Sequence, residues 1–77
     1  MARSLRFGRV GAAIAVFALN VEKFPTSSNV YDSLGEAYMK AGDNAKAILN
    51  YEKSLELNPH NDNAREMLKK LRGGGGS

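Results

Sequence analysis

The stretch SNVYDSLGEAYMKAGDNAKAILNYEKSLELNP, residues 28–59, decides the fold of this chain. Two helical patterns in it are separated by Ala41-Gly42-Asp43, and the second stops at Asn58-Pro59. Glycine favours the end of one helix, aspartate caps the start of the next, and proline disfavours a helical residue before it. The spacing predicts helices over 28–41 and from Asp43 to about Leu57, which a short connection makes antiparallel.

Part of this stretch repeats an earlier one with a period of 34 residues. The matched pairs are Gly8 and Gly42, Ala13 and Ala47, Ile14 and Ile48, Glu22 and Glu56, and Pro25 and Pro59. A fixed period of this size is typical of stacked supersecondary units. It predicts a further helix from Gly8 to Lys23. A capping residue at Asn61 or Asp62 predicts a last helix to Arg72. We therefore expect an all-α fold of about four helices in stacked antiparallel hairpins.

The pattern of large and small residues resembles that of the tetratricopeptide repeat (TPR). It consists of Tyr31-x-x-Leu34-Gly35-x-x-Tyr38, then Ala47-x-x-x-Tyr51, then Pro59. The resemblance implies a half repeat at 8–25, a full repeat at 28–59 and a capping helix at 61–72. It also implies that Gly35 and Ala47 lie where the two helices of the hairpin approach closely. Lys69 and Arg72 depart from the pattern, since they stand where Gly35 and Tyr38 stand in the full repeat.

The two ends of the chain differ from its middle in composition. Residues 1–7 form a basic N-terminal segment, and Arg3, Arg6 and Arg9 account for the net charge of +3 because the remaining eight bases balance eight acids. Residues 73–77, Gly-Gly-Gly-Gly-Ser, are typical of a flexible linker or tag. Together with the short length, this tail predicts a truncated and engineered member of the family.

The first helix is apolar on a side where its repeat counterpart is polar. Five apolar positions, Val10, Ala12, Val16, Ala18 and Leu19, correspond to Asn44, Lys46, Asn50, Glu52 and Lys53. A helix that is apolar nearly all round is normally covered by protein or membrane. We therefore predict a protein–protein interaction module that self-associates as a homo-oligomer, in the simplest case a dimer. The expected interface is Val10, Ala12, Ala15, Val16, Ala18 and Leu19.

The apolar character of this helix also fits a secretory signal or a fragment of a longer array. A secretory signal would have the basic start and the apolar run, but no small-x-small cleavage site follows Leu19. Without such a signal a cytoplasmic location is expected. A fragment of a longer array would account for the inner face but not for Ala12, Val16 and Leu19 opposite it. A membrane span is not expected, because ten to twelve apolar residues are too few to cross a bilayer.

The resemblance implies an alternative function as a monomeric peptide-binding module, or as an accessory module of a larger enzyme. The peptide would bind a concave face formed by Asn29, Asp32, Ser33, Glu36, Asn63, Glu66, Met67 and Lys70. Asp32 and Glu36 stand where a carboxylate-binding variant of the repeat needs Lys and Asn, so they would repel a carboxylate. Any peptide bound there is expected to be basic.

The sequence contains no constellation that indicates catalysis, a cofactor or a metal. There is no cysteine, His60 is the only histidine, and no glycine loop of the phosphate-binding type is present. The serines have no histidine placed to activate them. Three arginines without interleaved aromatic residues are a weak signal for nucleic acid. We expect a protein that is not an enzyme and has protein partners only.

Overall fold

The computed structural model describes the backbone of residues 2–73 and the side chains of residues 11–73. Four α-helices follow one another: α1 (Ala2–Lys23), α2 (Ser28–Lys40), α3 (Asn44–Leu57) and α4 (Asp62–Gly73). Each helix packs against the next, and α2 and α3 form the most extensive contact. The expectation of an all-α fold built from stacked helical hairpins is confirmed.

The turn between α2 and α3 is formed by the residues that predict it. Gly42 has φ +85°, and its N–H donates to the Met39 carbonyl at 3.0 Å. The Asp43 N–H donates to the Tyr38 carbonyl at 2.9 Å, which completes a Schellman motif. The Asp43 carboxylate then accepts from the Lys46 N–H at 3.2 Å and caps α3. One glycine and one aspartate thus end α2 and begin α3.

The other two connections are equivalent turns in which proline is the second residue. The Ser27 N–H donates to the Phe24 carbonyl at 3.1 Å, and the Asn61 N–H donates to the Asn58 carbonyl at 3.0 Å. Proline suits this position because its φ is already fixed near the required value. Asn61 also caps α4, since its side-chain oxygen accepts from the Ala64 N–H at 3.2 Å.

α1 begins earlier than predicted, at Ala2 rather than Gly8, so the expected N-terminal segment of residues 1–7 is helical from Ala2 onward. The segment from Ala2 to Phe7 contains no proline and mostly good helix formers, and an isolated glycine at position 8 is tolerated. α4 includes Gly73, one residue beyond the predicted end. The remainder of the predicted linker, residues 74–77, lies outside the described residues.

The core is centred on Tyr51 of α3. Its ring is 1% exposed and packs in a cluster with Ala47, Ala64 and Leu68. On the α2 side, a Cβ atom at Gly35 would lie 3.1 Å from Cδ2 and Cε2 of the Tyr51 ring. A side chain at position 35 would therefore crowd the ring more closely than most Cβ contacts, and the ring would have to shift by a few tenths of an ångström to admit it. The predicted close approach at Gly35 is confirmed.

Burial also changes the chemistry of Tyr51. Loss of water around the phenol, with smaller contributions from the charges of Asp32 and Glu36, raises its pKa from 10.0 to about 12. All three effects favour the neutral phenol, since each disfavours a phenolate in the folded protein.

We predict that Gly35→Ala lowers the free energy of unfolding by about 1 kcal/mol, because overpacking against an enclosed ring outweighs the gain in helix propensity. Gly11→Ala is the matched control: a Cβ there meets nothing within 4 Å. It should raise the stability by up to about 1 kcal/mol. Urea unfolding measures both variants. If Gly35→Ala and Gly11→Ala were equally stable, the contact at Gly35 would not constrain the hairpin.

A second prediction concerns alkaline pH. Below pH 10 Tyr51 is protonated in both states; between pH 10 and about 12 it ionises only in the unfolded chain. The stability it contributes is therefore complete below pH 10 and is lost as the pH rises through the folded pKa, by up to about 1.4 kcal/mol per pH unit. Urea unfolding across this range should show a smaller decline in Tyr51→Phe than in Tyr31→Phe. Identical declines in the two variants would contradict a raised pKa of Tyr51.

Candidate interaction surfaces

The outer face of α1 is the exposed apolar surface formed by Ala12, Ala15, Val16 and Leu19. Val16 is 55% exposed and Leu19 is 57% exposed, and both alanines are also exposed. Ala18, predicted with them, is half-buried, and the side chain of Val10 lies outside the described part of the chain. Large aliphatic side chains on this surface are in water, with no neighbour among the described residues of the monomer to cover them.

The equivalent surface of α3 is mostly polar and makes its own polar contacts. Lys53 pairs with Glu56 at 3.2 Å, and the Asn50 amide donates to the Lys46 carbonyl at 2.8 Å. Leu49 is the exception: it is 64% exposed and stands one period after Ala15. The apolar character of the first copy is therefore a property of α1 rather than of the repeat in general.

The inner face of α1 consists of Ala13, Ile14, Phe17 and Val21, all of which are half-buried, and α1 packs against α2. A cleft of about 200 Å³ remains between the two helices, lined by Ala13, Phe17, Ser33, Glu36, Ala37 and Lys40. Two of the predicted concave residues, Ser33 and Glu36, thus border this cleft. Glu36 is exposed and pairs with Lys40 at 3.4 Å.

The other predicted concave residues divide into three groups. Asn29, Glu66 and Lys70 are exposed, whereas Met67 is half-buried and packs against the core cluster. Asp32 and Asn63 are held by each other, because the Asn63 amide donates to both carboxylate oxygens of Asp32 at 3.1 and 3.2 Å. Asp32 therefore joins α2 to α4 and has less capacity to bind a peptide than its sequence position indicates.

Asp32 belongs to a hydrogen-bond network that sequence reasoning missed. Ser54 is 0% exposed; its hydroxyl donates to the Ser28 carbonyl at 2.9 Å and accepts from the Asn61 amide at 2.8 Å. The same amide lies 3.4 Å from the Asp32 carboxylate. A signal was present, since Ser54 follows Ala47 and Tyr51 on the core face of α3. A buried hydroxyl there needs partners.

The remaining site predictions concern single residues. His60 is exposed in the turn before α4, where its N–H donates to the Asn58 side chain at 3.1 Å. Within residues 2–73, no three acidic, histidine or cysteine side chains are grouped so as to hold a metal ion. None of the helices described above has the length and apolar content needed to cross a membrane.

Comparison with known proteins gives the family. Residues 28–61 match the model of the tetratricopeptide repeat, the same stretch that forms α2, the tight turn and α3. The chain belongs to the tetratricopeptide repeat family. It is a protein–protein interaction module built on a repeat fold that is not itself catalytic.

Two curated relatives align with most of the chain. The putative cellulose synthase operon protein C of Escherichia coli O157:H7 is 41% identical over 56 residues, and the cellulose synthase operon protein C of Escherichia coli strain K12 matches equally well. Each alignment covers 73% of this chain and 5% of the relative. The TPR chain thus corresponds to a small part of much longer proteins.

We predict that Ser54→Ala lowers the free energy of unfolding by about 1–3 kcal/mol, because it leaves the Ser28 carbonyl and the Asn61 amide without their buried partner. Ser33→Ala makes the same chemical change on α2 at a half-buried serine outside this network. It should change stability by less than about 0.5 kcal/mol. Thermal unfolding of both variants measures the difference. A Ser54→Ala protein as stable as the parent would show that the network adds no stability.

Proposed function

We propose that this TPR chain self-associates as a dimer through the outer face of α1. The observation that carries the proposal is the exposure of Val16 and Leu19, at 55% and 57%, beside Ala12 and Ala15. Covering such side chains removes apolar area from water, which is the main favourable term in association. The small neighbours allow two helix axes to come close together, since interaxial distance depends on the side chains at the contact.

Charge along α1 favours an antiparallel arrangement of the two helices. Arg3, Arg6 and Arg9 lie in its N-terminal half, and Glu22 lies near its C-terminal end. A parallel pair would bring six arginines together, whereas an antiparallel pair brings the arginines of each copy toward the partner's C-terminal end, where Glu22 and Lys23 balance and the helix dipole is negative. A two-fold axis across α1 gives this arrangement and uses the same surface on both chains.

The expected dimer is weak. A helix of 22 residues is roughly 33 Å long, so two crossing copies of α1 bury less than the about 1,200 Å² typical of stable complexes. Leu49 of α3 is a further large exposed aliphatic side chain, which stands one period after Ala15. A monomer–dimer equilibrium that depends on concentration is therefore the form in which self-association should be seen.

A second candidate function is the binding of basic peptides on the concave face. Its support is the exposure of two carboxylates, Glu36 of α2 and Glu66 of α4, on the face that the family resemblance implies. Against it, Asp32 is already engaged by Asn61 and Asn63, and Glu36 by Lys40. The exposed apolar surface of α1 is the stronger observation, so self-association is the function that we favour.

Light scattering over a concentration series tests the dimer. The parent should pass from monomer to dimer, and Val16→Glu with Leu19→Lys should remain monomeric, because two charges at the interface would lose their hydration. Thr26→Lys with Asn29→Glu is the control, since it places the same two charges at exposed positions elsewhere. A parent that is monomeric throughout would overturn the proposal, and a double variant that still dimerises would place the interface elsewhere.

A further inference from the structure

The cleft between α1 and α2 has an equivalent one period later in the chain, and there a helix fills it. The cleft is about 200 Å³, and its lining residues are Ala13, Phe17, Ser33, Glu36, Ala37 and Lys40. Its two α1 residues stand one period before Ala47 and Tyr51 of α3. Its buried α2 residue, Ala37, stands one period before Leu71 of α4. All three equivalents belong to the core cluster or pack against it. The register therefore matches the open cleft to the packed centre of the structure.

Burial differs between the two copies at these equivalent positions. Ala47 is 0% exposed and Tyr51 is 1% exposed, whereas Ala13 and Phe17 are only half-buried. α2 causes the difference, because a Cβ at its Gly35 would lie 3.1 Å from the Tyr51 ring. Among the four described helices, only α2 packs extensively against α1, and the place beside Phe17 that corresponds to α2 is the open cleft. A helix placed there would remove the Phe17 ring from water, which favours the contact.

The occupant that this comparison specifies is an amphipathic α-helix with the pattern of α2. It needs glycine where it crosses Phe17, because α2 has Gly35 where it crosses Tyr51. It needs aromatic or aliphatic residues near that glycine, because Tyr38 and Met39 of α2 pack against the core cluster. α2 of a second copy does not meet the need, since its Gly35 already lies against the Tyr51 ring of its own hairpin. The occupant is therefore a helix of another protein.

Charge favours one direction for this helix. A helix that packs on α1 as α2 packs on α3 runs antiparallel to α1, so its C-terminal end lies beside the N-terminal half of α1. Arg3, Arg6 and Arg9 lie in that half, and the C-terminal end of a helix is the negative end of its dipole. At the rim of the cleft, Glu36 and Lys40 pair at 3.4 Å and balance each other. An acidic helix is thus complementary to the basic end of α1.

We propose that the cleft between α1 and α2 is a docking site for an amphipathic helix of a partner protein. The partner helix has a central glycine, neighbouring aromatic or aliphatic residues and a net negative charge, and it lies antiparallel to α1 over Ala13 and Phe17. This site does not depend on the dimer proposed above, because it uses the inner face of α1. It also differs from the second candidate function, since it selects an acidic helix rather than a basic peptide.

A synthetic peptide with the sequence of residues 28–40 is the probe, because it has the required pattern, two acids and one base. Added to the isotopically labelled full chain up to millimolar concentration, it should shift the amide resonances of Ala13, Phe17 and Ala37 until they saturate. A peptide with Gly35→Leu should bind at least about tenfold more weakly, because its side chain would meet the Phe17 ring. The control peptide has Asn29→Leu, which adds leucine at an exposed position of α2, and should bind as the parent peptide does.

Two variants of the chain locate the site. Ala13→Glu places a charge in the cleft and should abolish peptide binding. Ala15→Glu makes the same change on the exposed outer face of α1, so it should disrupt the dimer and leave peptide binding intact. Circular dichroism checks that both variants fold, and the two leucine peptides decide the question alone if Ala13→Glu does not.

Three results would overturn the docking site. The first is the absence of saturable shifts with the parent peptide, and the second is equal binding of the Gly35→Leu and Asn29→Leu peptides. The third is a set of shifts centred on Ala47 and Tyr51, which would mean that the peptide replaces α2 in its own hairpin. A parent chain that binds the peptide and is monomeric at all concentrations would overturn only the dimer.

Discussion

The close contact between Gly35 and the Tyr51 ring is the constraint on which the rest of the structure depends. The ring can be 1% exposed only because α2 presents no side chain where the two helices meet. With the ring in place, Ala47, Ala64 and Leu68 complete the core and α4 is held against α3.

The polar network around Ser54 and Asp32 has a complementary role at the other end of the hairpin. It connects the N-terminus of α2, the C-terminal half of α3 and the cap of α4 through hydrogen bonds of 2.8–3.4 Å. Asn61 is central, since its amide reaches Ser54 and Asp32 while its oxygen caps α4. Asp32 and Asn63, which the sequence assigns to a peptide-binding face, therefore help to fix the position of α4.

Local rules were sufficient to predict the helices and their turns. Gly42, Asp43 and the two X-Pro turns act within a few residues of themselves, so their effect can be read from the order of the residues. The close approach at Gly35 was also predictable, because the resemblance to the tetratricopeptide repeat places Gly35 and Ala47 where the two helices meet. The start of α1 was not, because the 34-residue repeat begins only at Gly8, and the helix tolerates that glycine and extends back to Ala2.

The surfaces were less predictable because they depend on contacts between distant residues. The bonds from Asn63 to Asp32 and from Ser54 to Ser28 join residues far apart in sequence, and only the three-dimensional arrangement brings them together. The outer face of α1 was predictable in part. Its apolar character is visible in the sequence, and the structure adds that Val16 and Leu19 are exposed in the monomer. Burial of these two side chains would require a second molecule.

The central claim is that a second copy covers the outer face of α1, and amide chemical shifts measured during dilution test it most directly. If the claim is correct, the backbone resonances that move between concentrated and dilute samples should cluster on α1, around Ala12, Val16 and Leu19, and the resonances of α4 should stay fixed. Shifts that are absent at all concentrations, or that cluster around Lys69 and Arg72 on α4, would contradict it.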